Sequence, residues 1–506
     1  MDIAPGFPAF ATAYGLGQAQ ALCVRLIADL ETPVSAFLKL AQTRANAFLF
    51  ESVQGGETRG RYSIIGLKPD LIWRCRGGKA EINRTASADP ERFVPDADET
   101  APLVSLKRLV KEAQMELPPE LPPMAVGLFG YLGYDLVRHM EKLPSPPPDV
   151  LGLPDAIMLR PTITAIFDNI RDEIIVVTPV WPERNVSARA AYDRAMERLQ
   201  DVVTDLERAS APAPAPESHA GLGPAQSNTS HSEYLAIVEK AKEYIRAGDI
   251  FQVVPSQRFR RAFSLSPLAL YRALRRLNPS PFLYFLNFPG FAIVGSSPEI
   301  LVRLRDDKVT IRPIAGTRPR GKTPEDDKRL ADELMADPKE RAEHLMLLDL
   351  GRNDVGRVAE IGTVAVTDQF FIERYSHVMH LVSNVEGRIR PGLDAVDALV
   401  AGFPAGTLSG APKVRAMEII DELEKEKRGP YAGAVGYFAA NGSMDTCIVL
   451  RTAILKDGMM YVQAGGGVVA DSDPEAEFQE TVNKARALMA AADEAVRYAS
   501  TPKRGQ

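Results

Sequence analysis

Cysteine is scarce in this chain: three in 506 residues, at Cys23, Cys75 and Cys447, far apart and odd in number. That excludes a disulfide framework and a cysteine-based zinc site, and it suits a reducing cytoplasm. Basic charge is also not in excess, with 60 Lys and Arg against 66 Asp and Glu and a formal net charge of −6. No global positive field is available to draw in a nucleic acid or an anionic membrane. Long apolar runs are missing too, none approaching the ~18 residues of a membrane span. The opening "MDIAPGFPAF" carries neither the basic n-region nor the apolar h-region of a signal peptide. A cytoplasmic globular protein without a nucleic-acid or membrane partner is the expectation. What is present agrees: 45% hydrophobic and 25% charged residues are ordinary for such a protein. The length implies two or more domains or one unusually large core.

Residues 208–230, "RASAPAPAPESHAGLGPAQSNTS", are almost free of large apolar side chains and cannot build a core. They read as a linker between an N-terminal region, 1–207, and a C-terminal region, 231–500. Helix restarts at once, with Ser230 and Glu233 as a capping box before "EYLAIVEKAKEYIRAGD" and Gly248 as a stop. In the first region "DAIMLRPTITAIFDNIRDEIIVVTPV" reads as strand, Asp-Asn turn and strand, and "ARAAYDRAMERLQDVVTDLERA" as amphipathic helix.

The second region holds two similar meanders. One runs "PFLYFLNF", "FAIVGSSPEILVRL", "KVTIRPIAG"; the other runs "AGAVGYFAA", "SMDTCIVLRTAIL", "MMYVQAGGG". Their short Pro-Gly, Asn-Gly and Lys-Asp-Gly turns join antiparallel neighbours, whereas a parallel sheet needs longer crossovers. Helices follow each meander. The fold class is α+β, with antiparallel sheets packed face to face and helices outside; the pattern leaves open an interleaving of the two regions in space.

Two motifs carry chemistry. "GTRPRGKT", 316–323, satisfies the P-loop pattern and has "LMLLD" downstream as a second nucleotide-site strand. The helix after it, however, opens Pro324, Glu325, Asp326, Asp327, which a phosphate-binding helix N-terminus should not do. The two segments are also too close for the βα elements such a fold needs. The second motif is a pair of acidic pairs. Glu340 and Glu343 lie three apart in "KERAEHLMLLDLGRNDVG", and Glu477 and Glu480 three apart in "DPEAEFQETVNKA". Each pair shares a helix face. By spacing alone such pairs are more often a solvated face than a metal site. If the four converge, they need a cation, and an oxygen-only donor set suits Mg²⁺ or Mn²⁺ rather than zinc.

"RPIAGTRPRG", "KERAEHLMLLDLGRNDVGRV", "YSHVMHLVSNVEG", "FPAGTLSGAPKVRAMEIIDELE", "GPYAGAVGYF", "DTCIVLRTA", "VQAGGGVVADSDPEAEFQET" and "NKARA" occur in this order. Together they closely resemble the chorismate-using enzyme family over nearly all of 231–495. A weaker resemblance continues through "FLFESVQGGETRGRYSIIG", 48–66.

The resemblance implies that Glu343 and Glu480 ligate Mg²⁺ directly, with Glu340 and Glu477 acting through water, and that the ion holds the ring carboxylate of chorismate. Arg451 and the amides of Gly465, Gly466 and Gly467 would hold the enolpyruvyl carboxylate, an Arg fork binding at two points and glycine backbone approaching closely. Tyr431, Lys484, Gly316 and Thr317 match further substrate-contacting positions. Glu299, in "GSSPE", matches the acid that protonates the leaving C4 hydroxyl, and a dry cleft would keep it protonated. His380 matches the residue linked to loss of the C2 proton; His377, one turn earlier, is expected to be structural.

The family divides by nucleophile. Water-users carry a lysine base where this chain has Gln252, and the members that attack chorismate covalently carry a lysine where it has Ala315. Thr407, in "PAGTLSG", is also the ammonia-user's residue. The implied reaction is therefore addition of ammonia at C2, loss of the C4 hydroxyl and loss of pyruvate to give anthranilate, the first committed step toward tryptophan. Aminodeoxychorismate and isochorismate formation are the alternatives. None of "ALCVR", "WRCRG" and "DTCIV" fits a glutaminase nucleophile, so a separate glutamine amidotransferase subunit is the implied partner. Glu51 and Ser52, with Pro281, Phe282 and Leu283 as a second wall, resemble the family's L-tryptophan-sensing site.

Overall fold

The computed structural model describes residues 2–41, 44–54, 58–96, 101–144, 146–208, 222–375 and 378–500. His377 and residues 209–221 lie outside them. Among the described residues twenty-two strands join in one hydrogen-bonded network, and the ladders that build the site are antiparallel. Side chains alternate between cores as a strand's two-residue period requires. Phe48, Tyr284, Ile293 and Val435 face an inner core between the layers. Their neighbours Leu49, Phe285 and Val294 face outward, under Leu199, Leu274 and Leu488 of covering helices. On the other outer side Met158, Ala434 and Phe438 meet Leu348, Val355 and Met417. The result is a face-to-face antiparallel sandwich clad in helices, the expected class.

The break at 208–230 divides the chain along its length only. Strand Ala47–Gln54 pairs with Phe282–Phe288, and Gly127–Leu132 pairs with Ala434–Ala439. Within that stretch itself, Gln226–Ser227 pairs with Ser256–Ala262. Composition marks where core-forming residues stop; it does not say which strands find each other afterwards.

Three segments that read as single strands are each two. "FAIVGSSPEILVRL" forms Phe291–Ser297 and Ile300–Arg305; "SMDTCIVLRTAIL" forms Met444–Ile448 and Thr452–Lys456; "KVTIRPIAG" forms Lys308–Ile311 and Ile314–Pro319. The first two breaks coincide in space. Gly295 is opposite Thr452 on one side of them and Ile300 is opposite Cys447 on the other. Between, Ser296 N donates to Arg451 O (3.2 Å) and Ile448 N to Glu299 O (3.0 Å). Arg451 takes a left-handed φ of 48° there, costly for a side chain with a Cβ. The ladder is interrupted where Glu299 and Arg451 stand.

The 316–323 stretch is not a phosphate cradle. Gly321 N donates to Asp327 Oδ1 (2.9 Å), and Arg320 and Arg374 also bind that carboxylate. Thr323 caps helix Pro324–Ala336 by accepting from Asp326 N. The anion position is filled by the chain's own aspartate. No helix among the described residues is long and apolar enough to cross a membrane.

Candidate active site

Glu299 is buried at the double strand break. Its Oε1 accepts from Thr407 Oγ1 (3.1 Å). Burial pushes its carboxyl up to about 8, against the pull of the Thr407 hydrogen bond and the charges of Arg451 and Lys484. It holds a proton at neutral pH. The Arg451 guanidinium, across the break, has no hydrogen-bond or salt-bridge partner among the described residues. Burial lowers its own pKa, with Glu299 acting the other way. An unpaired guanidinium beside a neutral acid is a receptor for an anion.

His380 comes from strand Val378–Arg388, opposite Thr317 in the ladder with Ile314–Pro319. Its Nδ1 lies 2.9 Å from Gly316 O and 3.2 Å from Thr317 Oγ1. A carbonyl can only accept, so the proton sits on Nδ1 and Nε2 keeps its lone pair. Nε2 is buried without a partner among the described residues. Burial lowers the pKa to about 4, so the ring is neutral. Gly316 has φ +63°, and a Cβ on it would lie 3.0 Å from Glu340 Oε2; glycine is required on both counts.

Strand Met459–Gly465 ends in the glycine run, where three expected site residues close in. A Cβ on Gly465 would fall 3.0 Å from the Tyr431 hydroxyl, on Gly466 2.8 Å from Glu477 Oε2, and on Gly467 2.6 Å from Gln252 Nε2. Gly466 N donates to Pro255 O (3.2 Å), so that amide is engaged within the fold. Lys484 Nζ donates to Gly465 O (2.9 Å) and to Glu480 Oε1 (2.6 Å). Gln252 Oε1 is buried with no donor among the described residues.

The acidic pairs lie on helices Pro338–Gly356 and Pro474–Ser500. Asp337 caps the first, accepting from Lys339 N and Glu340 N. The pairs sense each other: Glu343 is raised first by burial and then by Glu340 and Glu480, and Glu477 by burial and then by Glu480. Yet among the described residues no three His, Cys, Asp or Glu side chains close on one point. Glu340 instead binds Arg318 (2.9 Å), Glu480 binds Lys484, and Glu477 Oε1 accepts from Ser472 (2.7 Å) while its Oε2 is buried without a donor. An orphaned carboxylate oxygen and a Glu343 crowded by like charge fit a hard cation.

The model of the chorismate binding enzyme family matches residues 46–490. The chain belongs to that family. An anthranilate synthase component 1 of Cereibacter sphaeroides is 61% identical over 97% of this chain and 98% of its own. That of Pseudomonas aeruginosa is 50% identical over 93% and 94%. The crystal structure of anthranilate synthase component I from Streptococcus pneumoniae superposes with a TM-score of 0.73 at 37% identity, covering 92% of this chain and 99% of that one. A menaquinone-specific isochorismate synthase of Escherichia coli, 20% identical with a TM-score of 0.69, shares the fold.

This chorismate-binding enzyme also brings together the second expected site. Leu283 is opposite Glu51 in the ladder between the two regions, and Phe282 is opposite Ser297. Glu51 accepts from Tyr271 Oη and from Arg275 Nε (2.6 Å) and Nη2 (2.9 Å). Neither partner is evident in the sequence, although Tyr271 and Arg275 share one face of helix Pro267–Leu277 at a four-residue spacing. Arg318 on Glu340 was equally hidden: in the sequence it reads only as a residue of the P-loop-like stretch.

Proposed function

We propose that this chain is the chorismate-converting component of an anthranilate synthase, making anthranilate and pyruvate from chorismate and ammonia. The observation that carries this reading is the pairing, at one strand break, of a buried carboxylic acid with an unpartnered arginine. Glu299 can give its proton to the C4 hydroxyl, which leaves as water. Arg451 can hold a carboxylate of the substrate close by. Ammonia forms the new bond at C2; it needs no base, and Gln252 Oε1, an acceptor without a donor, can take one of its N–H groups. His380 Nε2 is placed to take the C2 proton as the C3–O bond breaks, the side chain leaving as pyruvate and the ring becoming aromatic. Chorismate plus ammonia equals anthranilate, pyruvate and water.

Glu343 and Glu480 would hold Mg²⁺, backed by Glu340 and Glu477, with Arg318 and Lys484 yielding their carboxylates. The ion would neutralise the ring carboxylate of the substrate. The ammonia is supplied by a separate glutamine amidotransferase subunit, in keeping with the relatives' designation as component 1. L-Tryptophan binds between Glu51–Ser52 and Pro281–Leu283. Phe282 adjoins Ser297, whose Oγ contacts the Glu299 backbone, so occupancy there has a short route to the acid. Incubation with chorismate, Mg²⁺ and ammonium salt tests the reading: blue-fluorescent anthranilate supports it, and 4-amino-4-deoxychorismate or isochorismate overturns it in favour of a sibling activity.

A further inference from the structure

Arg428 is the most buried cation in the neighbourhood of the site, its side chain 1% exposed, and it touches none of the proposed reacting atoms. It pairs with Glu424, also buried, through Nε (3.0 Å) and Nη2 (2.6 Å). Its other hydrogen bonds go to two carbonyls: Nη1 to Leu408 O and Nη2 to Val254 O, both 2.6 Å. The guanidinium lies 4.8 Å from the Tyr134 ring and 5.4 Å from the Tyr431 ring. Glu424 Oε1 meanwhile accepts from Ser256 N (2.8 Å) and Ser256 Oγ (2.7 Å).

Each of these contacts ends beside a site residue. Leu408 closes the turn Gly406–Leu408 that presents Thr407 to Glu299. Val254 follows strand Gln252–Val253. Ser256 is the ladder partner of Gly465. A buried ion pair is poor evidence of stabilisation, since apolar residues of similar volume often do as well. A planar fork that satisfies two backbone carbonyls and a carboxylate at once does something apolar residues cannot: it fixes the relative position of segments distant in sequence.

We propose that the Glu424–Arg428 pair is a positioning device that locks the Thr407 turn, the Gln252 strand and the Tyr431 ring into register, and that it acts on the reaction through the Thr407–Glu299 hydrogen bond. This rests on the reading of Glu299 as the acid. Arg428→Lys retains the buried charge but cannot span both carbonyls and Glu424. The test is a cycle of Arg428→Lys, Thr407→Val and the double variant, reading anthranilate formation against pH.

Thr407 pulls the Glu299 pKa down, so loss of its hydrogen bond moves the alkaline limb of kcat/KM upward. The limb should move the same way in both single variants. Each should lose about tenfold or more in kcat, and the double variant should lose little beyond the worse single. A merely structural role would lower active protein without moving the limb. Multiplying losses, or an unmoved limb in Arg428→Lys, overturns the proposal. Should Arg428→Lys not fold, Glu424→Gln, which removes the carboxylate charge and one acceptor oxygen from the pair while keeping both shapes, takes its place under the same criteria. An inactive wild type would instead refute the reading of the function and is seen before any variant is made.

Discussion

The protonated Glu299 makes stability, as well as activity, depend on pH. Glu299→Gln is the perturbation, since Gln is nearly isosteric, can still accept from Thr407, and does not titrate. In the native protein the carboxyl keeps its proton up to about 8, against an ordinary value of 4.5. Between those values the folded state binds a proton that the unfolded chain has released, so stability falls as pH rises. The slope is about 1.4 kcal/mol per pH unit while that holds. The contribution is fully present below pH 4.5 and is lost as pH climbs through the folded value. From pH 5 to pH 8 the wild type gives up roughly 3–4 kcal/mol that the variant keeps. With an unfolding entropy of about 2 cal/mol/K per residue, a chain of this length should show a Tm difference of about 3 °C. The assay is scanning calorimetry of both proteins without chorismate or Mg²⁺ at pH 5, 6.5 and 8. The Tm of Glu299→Gln relative to wild type should rise across that series. A difference independent of pH would mean that Glu299 is ionised in the fold, and the reasoning that makes it an acid would fail. In the same variant, anthranilate formation should drop by about 10²-fold or more, the ordinary cost of removing a general acid.

Other outcomes follow from the same geometry. Ala315 is buried beside Gly316, so Ala315→Lys places an amine in the site and should lower anthranilate output; unchanged rate and product, by fluorescence and chromatography, would remove the main argument against a covalent route. Gly467→Ala drives a Cβ to 2.6 Å from Gln252 Nε2 and should cut kcat about tenfold as Gln252 is displaced, roughly the effect of losing one hydrogen bond to the transition state. Glu343→Gln or Glu480→Gln should weaken Mg²⁺ binding, measured calorimetrically without substrate, by at least about tenfold; unaltered affinity would place the ion elsewhere. A Cβ on Gly60 would approach within 2.5 Å of Ser52 Oγ, so Ser52→Phe has no space on that side and should relieve inhibition by L-tryptophan; full inhibition would move the sensing site.

How much of this was legible depended on the range of the interactions. Hairpins, capping boxes and amphipathic helices are set by residues within a few positions of each other, and the meanders and the Ser230–Glu233 cap are present in the structure. What sequence reading joined wrongly was the continuous strand. "FAIVGSSPEILVRL" and "SMDTCIVLRTAIL" have β-rich composition throughout, and nothing local in Val449–Leu450–Arg451 announces a break. The break exists because two distant strands change ladder partners at the same level, a tertiary event.

The same limit explains why the acidic pairs were visible as pairs while Arg318 was not visible as the partner of Glu340, nor Arg428 as a tie between distant carbonyls. A Glu three residues from another Glu is a local fact; a guanidinium that binds carbonyls at 254 and 408 is not. Residues that change chemistry therefore left a trace in the sequence as residue types, whereas those that hold the geometry left almost none. The consequence can be measured. Substituting a residue that holds geometry should perturb the pH dependence of another residue's chemistry, which is how Arg428 and Thr407 are distinguished from ordinary core positions. In a fold whose sheets run through both halves of the chain, such long-range ties are what convert a strand interruption into an acid and an arginine side by side.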